Sequence, residues 1–191
     1  GELVLAKPMP SMPVYFWNDN NFDKYHDSYF SNNSNVWTHG DWISIDCKHG
    51  ILMQGRSDAT LNRNGIRIGT SEIYMALDRL ENVKDSLIIE FPMKENSSSK
   101  LLLFIVARNS LNEKLKTDIR QHLKKQCSPR HAPDYIIPVK EIPYTISGKK
   151  MEIPVKKLFL GLSIDKVASP GAMRNPNSLN AFVEIRNNIS F

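Results

Sequence analysis

Seven consecutive apolar residues, Leu101 to Ala107 (LLLFIVA), constrain the fold of this chain more than any other segment. A strand that leaves one face to water alternates apolar and polar positions, and this run does not. It predicts a central strand covered on both faces, so the fold must supply apolar layers above and below it. Candidate layers stand on either side in the sequence. Thr70 or Ser71 can cap a helix through Leu80, with Ile73, Ala76, Leu77 and Leu80 on one face. Asp85 to Phe91 reads as a strand, and Glu95 to Lys100 as a polar hairpin-like loop. Asn112 can cap a helix in which Leu115, Ile119 and Leu123 recur at helical spacing. Tyr135 to Val139 is a further strand, and Pro154 suits the first turn of a short helix through Leu160. Asn177 can cap a last helix with Leu179, Phe182, Val183 and Ile185. Residues 59 to about 160 therefore read as an α+β domain with a short sheet and flanking helices, followed by a helical tail over 161–191.

The first 57 residues have a different character. Glu2 to Ala6 reads as a strand, prolines at 8, 10 and 13 as an extended connection, and Lys24 to Phe30 as a short helix. Trp42 to Asp46 and Ile51 to Gly55 read as strands joined through Lys48-His49-Gly50 as a hairpin with an exposed tip. This β-rich stretch opens on strand-like sequence without an initiator methionine. The expectation is a fragment of a larger domain, with unpaired strand edges that favour self-association.

Composition narrows the function classes. Net charge is +5, with no dense Lys/Arg block interleaved with aromatics, which argues against nucleic acid as partner. The two cysteines, Cys47 and Cys127, form neither a disulfide framework nor a metal spacing, which points to a reducing, cytoplasmic setting. No apolar run approaches membrane-spanning length, so no membrane partner is expected. His39, His49, His122 and His131 are scattered without metal-ligand spacing, and no serine, histidine and acid stand in a triad arrangement.

Three segments hold the residues suited to chemistry. In the first, Asp41 follows Gly40 at the start of a strand, where a carboxylate can accept hydrogen bonds from two vicinal hydroxyls. The second is Gly55 to Ile73 (GRSDATLNRNGIRIGTSEI). Its Arg56 and Arg67 offer forked donors for hydroxyls and phosphate oxygens, Gly65 offers unrestricted backbone, and Asp58 sits at the seam as a candidate hinge. The third is Thr145 to Lys150 (TISGKK), in which a lysine on a glycine loop can bring a cation to an anionic reaction centre. Spacing alone does not separate Lys149 from Lys150. The loop is not a phosphate-binding P-loop, because Lys150 stands where that pattern needs Ser or Thr. Taken singly, each residue has an ordinary explanation as a turn aspartate, a surface arginine or a solvated lysine.

Together and in order, the segments resemble the C-terminal part of the adenylate-forming (acyl-CoA synthetase) superfamily. Gly1-Glu2-Leu3, Thr38-His39-Gly40-Asp41, Gly55 to Ile73 and Ile146 to Lys149 are similar to four of its motifs, and the match covers almost the whole chain. His39 looks inserted into a Thr-Gly-Asp motif, Ala59 replaces a second acid, and Asn62 replaces a lysine. These departures, with GRSDATLN, SPRHAP and IPYTISGKK, resemble the acetoacetate-activating branch.

The resemblance implies a two-step ligation. ATP, with Mg2+, and a carboxylate give an acyl-adenylate, and CoA then displaces AMP. By position, Asp41 and Arg56 would bind the ribose, and Arg67 would approach the phosphates. Lys149 would be the catalytic lysine, Asp58 the hinge of a mobile lid domain, and Gly65 and Lys125 would meet CoA. It also implies a missing N-terminal domain holding the acyl pocket, so that the 191-residue piece would be inactive alone. Two rival classes remain open: another acyl-CoA ligase or a carrier-protein acylating enzyme of the same superfamily, and a non-catalytic module binding through its basic face.

Overall fold

The structure, a computed structural model, describes residues 1–31, 33–63, 65–92 and 99–189. These form two compact units, Gly1–Asp58 and Ala59–Phe191. The expected polar loop over 95–100 falls mostly outside the described residues.

In the first unit, strands β1 (Glu2–Leu5), β2 (Trp37–Ile45) and β3 (Ile51–Arg56) form an antiparallel sheet in that order. The sequence places β2 only from Trp42, but pairing begins five residues earlier, where Leu5 and Val4 face Trp37 and Thr38. The polar Thr38-His39-Gly40-Asp41 stretch hid this part of the strand. The β2–β3 hairpin turns at 46–50 as expected, its geometry set by Asp46, whose carboxylate accepts the amides of Lys48 and Gly50, both at 2.8 Å. Helix α1 (Asp23–Tyr29) is fixed by the buried Asp19 carboxylate, which accepts the amides of Lys24 and Tyr25 at 3.0 and 2.8 Å. Its Tyr29 stacks on Trp37 with ring centroids 3.6 Å apart, and Tyr25, Phe30 and Phe16 complete an aromatic cluster. β1 and β3 are the sheet edges, and Ile45, Ile51, Leu52 and Met53 stay exposed around the hairpin.

The second unit is built around the seven-residue run, which lies in strand β7 (Lys100–Ala107), preceded in the chain by β4 (Leu61–Arg63), β5 (Ile66–Ile68) and β6 (Val83–Phe91). β7 is central: it pairs antiparallel with β6 (Val83–Phe91) and parallel with β8 (Tyr135–Pro138). Alternate residues feed two separate cores. Leu101, Leu103 and Ile105 pack with helix α2 (Thr70–Leu77), helix α3 (Glu113–Gln126) and the hairpin of β4 (Leu61–Arg63) and β5 (Ile66–Ile68). Leu102, Phe104 and Val106 pack against Val155, Leu158 and Phe159 of α4 (Glu152–Phe159) and against Leu179 and Phe182 of α6 (Ser178–Asn188). Helix α5 (Ile164–Val167) lies between those two helices in the chain. The fold is thus α+β, a small mixed sheet flanked by helices. The parallel β7–β8 pairing needs a crossover, which α3 provides.

Polar clasps hold the helix-and-hairpin layer in place. Arg63 grips Asp134 bidentately at 3.0 and 3.2 Å, while Asp134 accepts the Leu101 amide at 2.8 Å, tying β4 to the start of β7. His131 donates from Nε2 to Glu72 at 3.0 Å, and its Nδ1 lies 2.8 Å from the Ser128 hydroxyl; this joins α2 to the 129–131 turn.

Capping was read correctly at Asn112, whose side chain accepts the Leu115 amide at 2.8 Å. Two other caps differ from expectation. Gly69 occupies the cap of α2, Thr70 is buried as the first helical residue, and the helix ends at Leu77 rather than Leu80. Asn177 precedes α6 but is itself helical and makes no side-chain cap bond; Ser178 instead donates to the Asn175 carbonyl at 2.7 Å.

Phe182 is fully buried with its ring 4.8 Å from that of Phe104. Phe182→Ala should therefore cost about 3–5 kcal/mol of the second unit's stability. Denaturant unfolding of the chain checks this. A loss below ~1 kcal/mol would mean that α6 is not part of the core.

Candidate functional site

In the first unit, Asp41 and Arg56 are cross-strand partners on β2 and β3. Asp41 sits between two cationic or donor groups. His39 Nδ1 donates to Asp41 Oδ2 at 2.6 Å, and Arg56 NH1 lies 3.7 Å from Asp41 Oδ1. Arg56 also reaches Asp58 through Nε at 3.4 Å. Gly40 has φ +86°, and a Cβ there would stand 2.8 Å from Arg56 NH2, so the glycine makes room for the guanidinium. Glu2 anchors the base of the site by accepting the Gly40 amide at 3.1 Å and the Ser57 hydroxyl at 3.0 Å.

A cavity of about 590 Å³ opens here, with Tyr29, Trp37, His39, Gly40, Arg56 and Asp58 among its lining residues. Asp41 meets this wall through His39 and Arg56 rather than lining it. The structure thus brings together three of the residues singled out in the sequence, Asp41, Arg56 and Asp58. It adds His39, to which sequence reasoning gave no role. The signal was present: residues i and i+2 of a strand share a face.

The second unit holds the other candidates on separate elements. Arg67 is exposed on β5, opposite Asn62. Gly65, at the turn before it, has φ +82°, donates its amide to Asn62 Oδ1 at 3.0 Å, and would place a Cβ in open space. A thin ligand can therefore approach this backbone closely. Lys125 is exposed in the last turn of α3.

The two lysines of the glycine loop differ sharply in their surroundings. The segment closes as a tight hairpin: the Thr145 amide donates to the Lys149 carbonyl at 2.9 Å, the Lys149 amide donates to the Thr145 hydroxyl at 3.0 Å, Gly148 donates to the Thr145 carbonyl at 2.9 Å, and Tyr144 bridges Lys150. Lys150 turns inward. Its ammonium donates to the Ser86 carbonyl at 2.6 Å, pairs with Asp85 at 3.0 Å and lies 4.1 Å from the centre of the Tyr74 ring. Lys149 is exposed, and among the described residues its ammonium has no partner. Of the pair, only Lys149 is available as a cation for a ligand.

The tyrosines around Lys150 stay protonated. Burial pushes the Tyr74 phenol well above its ordinary value, and the Glu152 carboxylate that it bonds at 3.0 Å adds to the effect. Tyr144 is raised by burial and then by Asp85, to which it donates at 2.9 and 3.0 Å. Burial, with Glu72 nearby, likewise pushes the Cys127 thiol up, so it is no ready thiolate. Among the described residues no group of three or more His, Cys, Asp or Glu is placed to hold a metal, and no helix is long and apolar enough to cross a membrane.

Comparison with known proteins gives a consistent set. No family model matches the chain. Acetoacetyl-CoA synthetase from Caenorhabditis elegans is 41% identical over 189 residues, and that from Gallus gallus 43% identical over 187 residues; each match covers 97% of this chain. The chain spans only 27% and 28% of the length of these relatives. Among solved structures, acetoacetyl-CoA synthetase from Streptomyces lividans superposes with a TM-score of 0.90 at 40% identity, over 100% of this chain and 28% of that one.

Because both phenols have raised values in the folded state, they stabilise the fold fully below the ordinary tyrosine value of 10.0, and this is lost as pH climbs through the folded-state values. Stability should therefore fall above that pH, and Tyr144→Phe should flatten the fall. Denaturant melts across alkaline pH, with phenolate absorbance followed in parallel, test this. Ionisation of all tyrosines together near the ordinary value would refute it.

Proposed function

This chain is a counterpart of the C-terminal part of the acetoacetyl-CoA synthetases, within the adenylate-forming superfamily, and from that premise we propose that it serves the ligation of acetoacetate to CoA at the expense of ATP. The observation that carries the proposal is the pairing of an exposed Lys149 with an inward-locked Lys150 on a hairpin with a glycine at its tip.

In the first step a carboxylate oxygen of acetoacetate attacks the α-phosphorus of ATP, and pyrophosphate leaves. An anion approaches a polyanion, so the barrier is largely electrostatic, and a cation placed at the developing charge lowers it. Lys149 supplies that cation. Asp41, oriented by His39 and Arg56, accepts hydrogen bonds from the ribose hydroxyls, and Arg56 adds donors beside it. Arg67 contacts the phosphates. Magnesium would help to neutralise the triphosphate of the nucleotide substrate. In the second step the CoA thiolate attacks the acyl carbonyl and AMP leaves with the bonding pair. Gly65 lets the pantetheine arm pass close to backbone, Lys125 meets the CoA phosphates, and Asp58 acts as the hinge between the two stages.

The acyl pocket and the remaining nucleotide contacts belong to a preceding domain in this proposal, and the protein works in the cytoplasm. The 191-residue chain by itself is then inactive.

The test is acetoacetate-dependent ATP–pyrophosphate exchange by the full-length protein. Native protein should exchange, and Lys149→Ala should lose on the order of 10²–10³-fold, the scale for removing a transition-state charge contact. Exchange that survives Lys149→Ala would remove that residue from the chemistry. Turnover of ATP with acetoacetate by the isolated chain would refute the dependence on a further domain.

A further inference from the structure

The surroundings of Lys150 have a role that the proposed chemistry does not use. The side chain of Lys150 is 20% exposed and its partner Asp85 24%, so this is a sheltered ion pair rather than a surface one. Asp85 accepts from the Tyr144 hydroxyl and from the Ser86 amide at 2.8 Å, besides pairing with Lys150. Lys150 in turn donates to the Ser86 carbonyl and sits over the Tyr74 ring. Tyr74 is pinned at its own hydroxyl, which accepts the Ile88 amide at 3.2 Å and donates to Glu152. Two elements, α2 and β6, thus converge on one ammonium, and the start of α4 holds the Tyr74 ring in place through Glu152.

Tyr144 and Lys150 are bridge partners at the base of the hairpin, on either side of Thr145–Lys149. Both have their side chains fastened to Asp85. The opposite edge of the hairpin is braced as well. Ile146 donates to the Ala172 carbonyl at 3.0 Å, Arg174 to the Tyr144 carbonyl at 2.9 Å, and the Tyr144 amide to Asn175 Oδ1 at 3.0 Å. At the tip, Gly148 has φ +81°, and a Cβ there would stand 2.9 Å from Arg174 NH2. A glycine loop is mobile by default; this one is tied at its base and along its edge, and Arg174 crowds its tip.

The geometry points to Asp85, Tyr144 and Lys150 as a latch that positions Lys149 for the adenylation half-reaction. They are positioning residues: they act on the reaction only by fixing the base of the loop from which Lys149 projects. The inference rests on the adenylation proposal above and deepens it. Adenylation needs a cation held in place, since displacement of a catalytic group by about 1 Å can cost on the order of 10²-fold. Thioester formation from a ready-made adenylate does not use Lys149 and should not depend on the latch.

The experiment uses the full-length protein with Tyr144→Phe, Lys150→Met and Lys150→Arg. Pyrophosphate exchange reports the first half-reaction, and thioester release from supplied acetoacetyl-adenylate and CoA reports the second. Hydrogen exchange at the 145–149 amides reports the loop itself. Tyr144→Phe and Lys150→Met should lower kcat for pyrophosphate exchange by about 10–100-fold with KM for ATP little changed, leave thioester release within about twofold, and speed amide exchange in the loop. Lys150→Arg, which keeps a cation against Asp85, should recover part of the loss. Unchanged pyrophosphate exchange, or equal losses in both half-reactions, would overturn the latch. If native protein shows no exchange with acetoacetate, the functional proposal fails instead. The latch then stands or falls on the loop amides, and unaltered protection in Tyr144→Phe and Lys150→Met overturns it.

Discussion

The two-sided burial of β7 is the constraint on which the second unit depends. A strand with no polar face has to be covered twice, and each covering layer then fixes one part of the chemistry-bearing surface. The layer over Leu101, Leu103 and Ile105 is α2, α3 and the β4–β5 hairpin, which sets out Gly65, Arg67 and Lys125. The layer over Leu102, Phe104 and Val106 is α4 and α6, and the chain between and before them forms the Lys149 hairpin and its brace. At roughly 25 cal/mol for each Å² of apolar surface removed from water, burial drives this unit, and the doubly buried strand is what joins its two cores. The loops that carry the proposed site residues can stay irregular because the sheet beneath them is not.

Charge is managed differently in the two units. In the first, His39, Asp41, Arg56 and Asp58 make a chain of exposed and half-exposed contacts around an open cavity, and exposed ion pairs contribute little to stability. The proposed function gives these residues a ligand to hold rather than a structural task. In the second, Lys150 and Asp85 are sheltered and multiply bonded, so each depends on the other. Removing one partner from such a pair leaves a desolvated charge behind, which is costly even where the intact pair adds little net stability.

The period of the apolar residues made most of the second unit legible in the sequence. The central strand, its neighbours and the two long helices follow from spacing alone, because burial acts on every second or every third to fourth residue. The three-residue strand β4 and the first half of β2 were not legible. β4 is too short to show a period, and β2 opens on polar residues whose strand geometry comes from pairing with β1. Caps were readable where a side chain does the capping, as at Asn112, and not where none does, as at Gly69 before α2 and Asn177 before α6. The Asp41–Arg56 pairing was suggested by motif, whereas His39 was missed. The choice between Lys149 and Lys150 lay beyond spacing, because what distinguishes them is a carbonyl and a carboxylate on β6, more than sixty positions back along the chain.

The alternation along β7 also has a consequence for how the chain is made. Residues emerge from the ribosome in order, and domains begin to fold as they appear. The partners of Leu101, Leu103 and Ile105 on α2 have already emerged, and those on α3 follow soon after. The partners of Phe104 on its other face include Phe159 and Phe182. One side of the sheet can therefore settle early in synthesis, while the other stays sticky and open until the last helix is out. A nascent chain stalled before residue 178 would have α4 but not α6, and would leave this face short of Leu179 and Phe182.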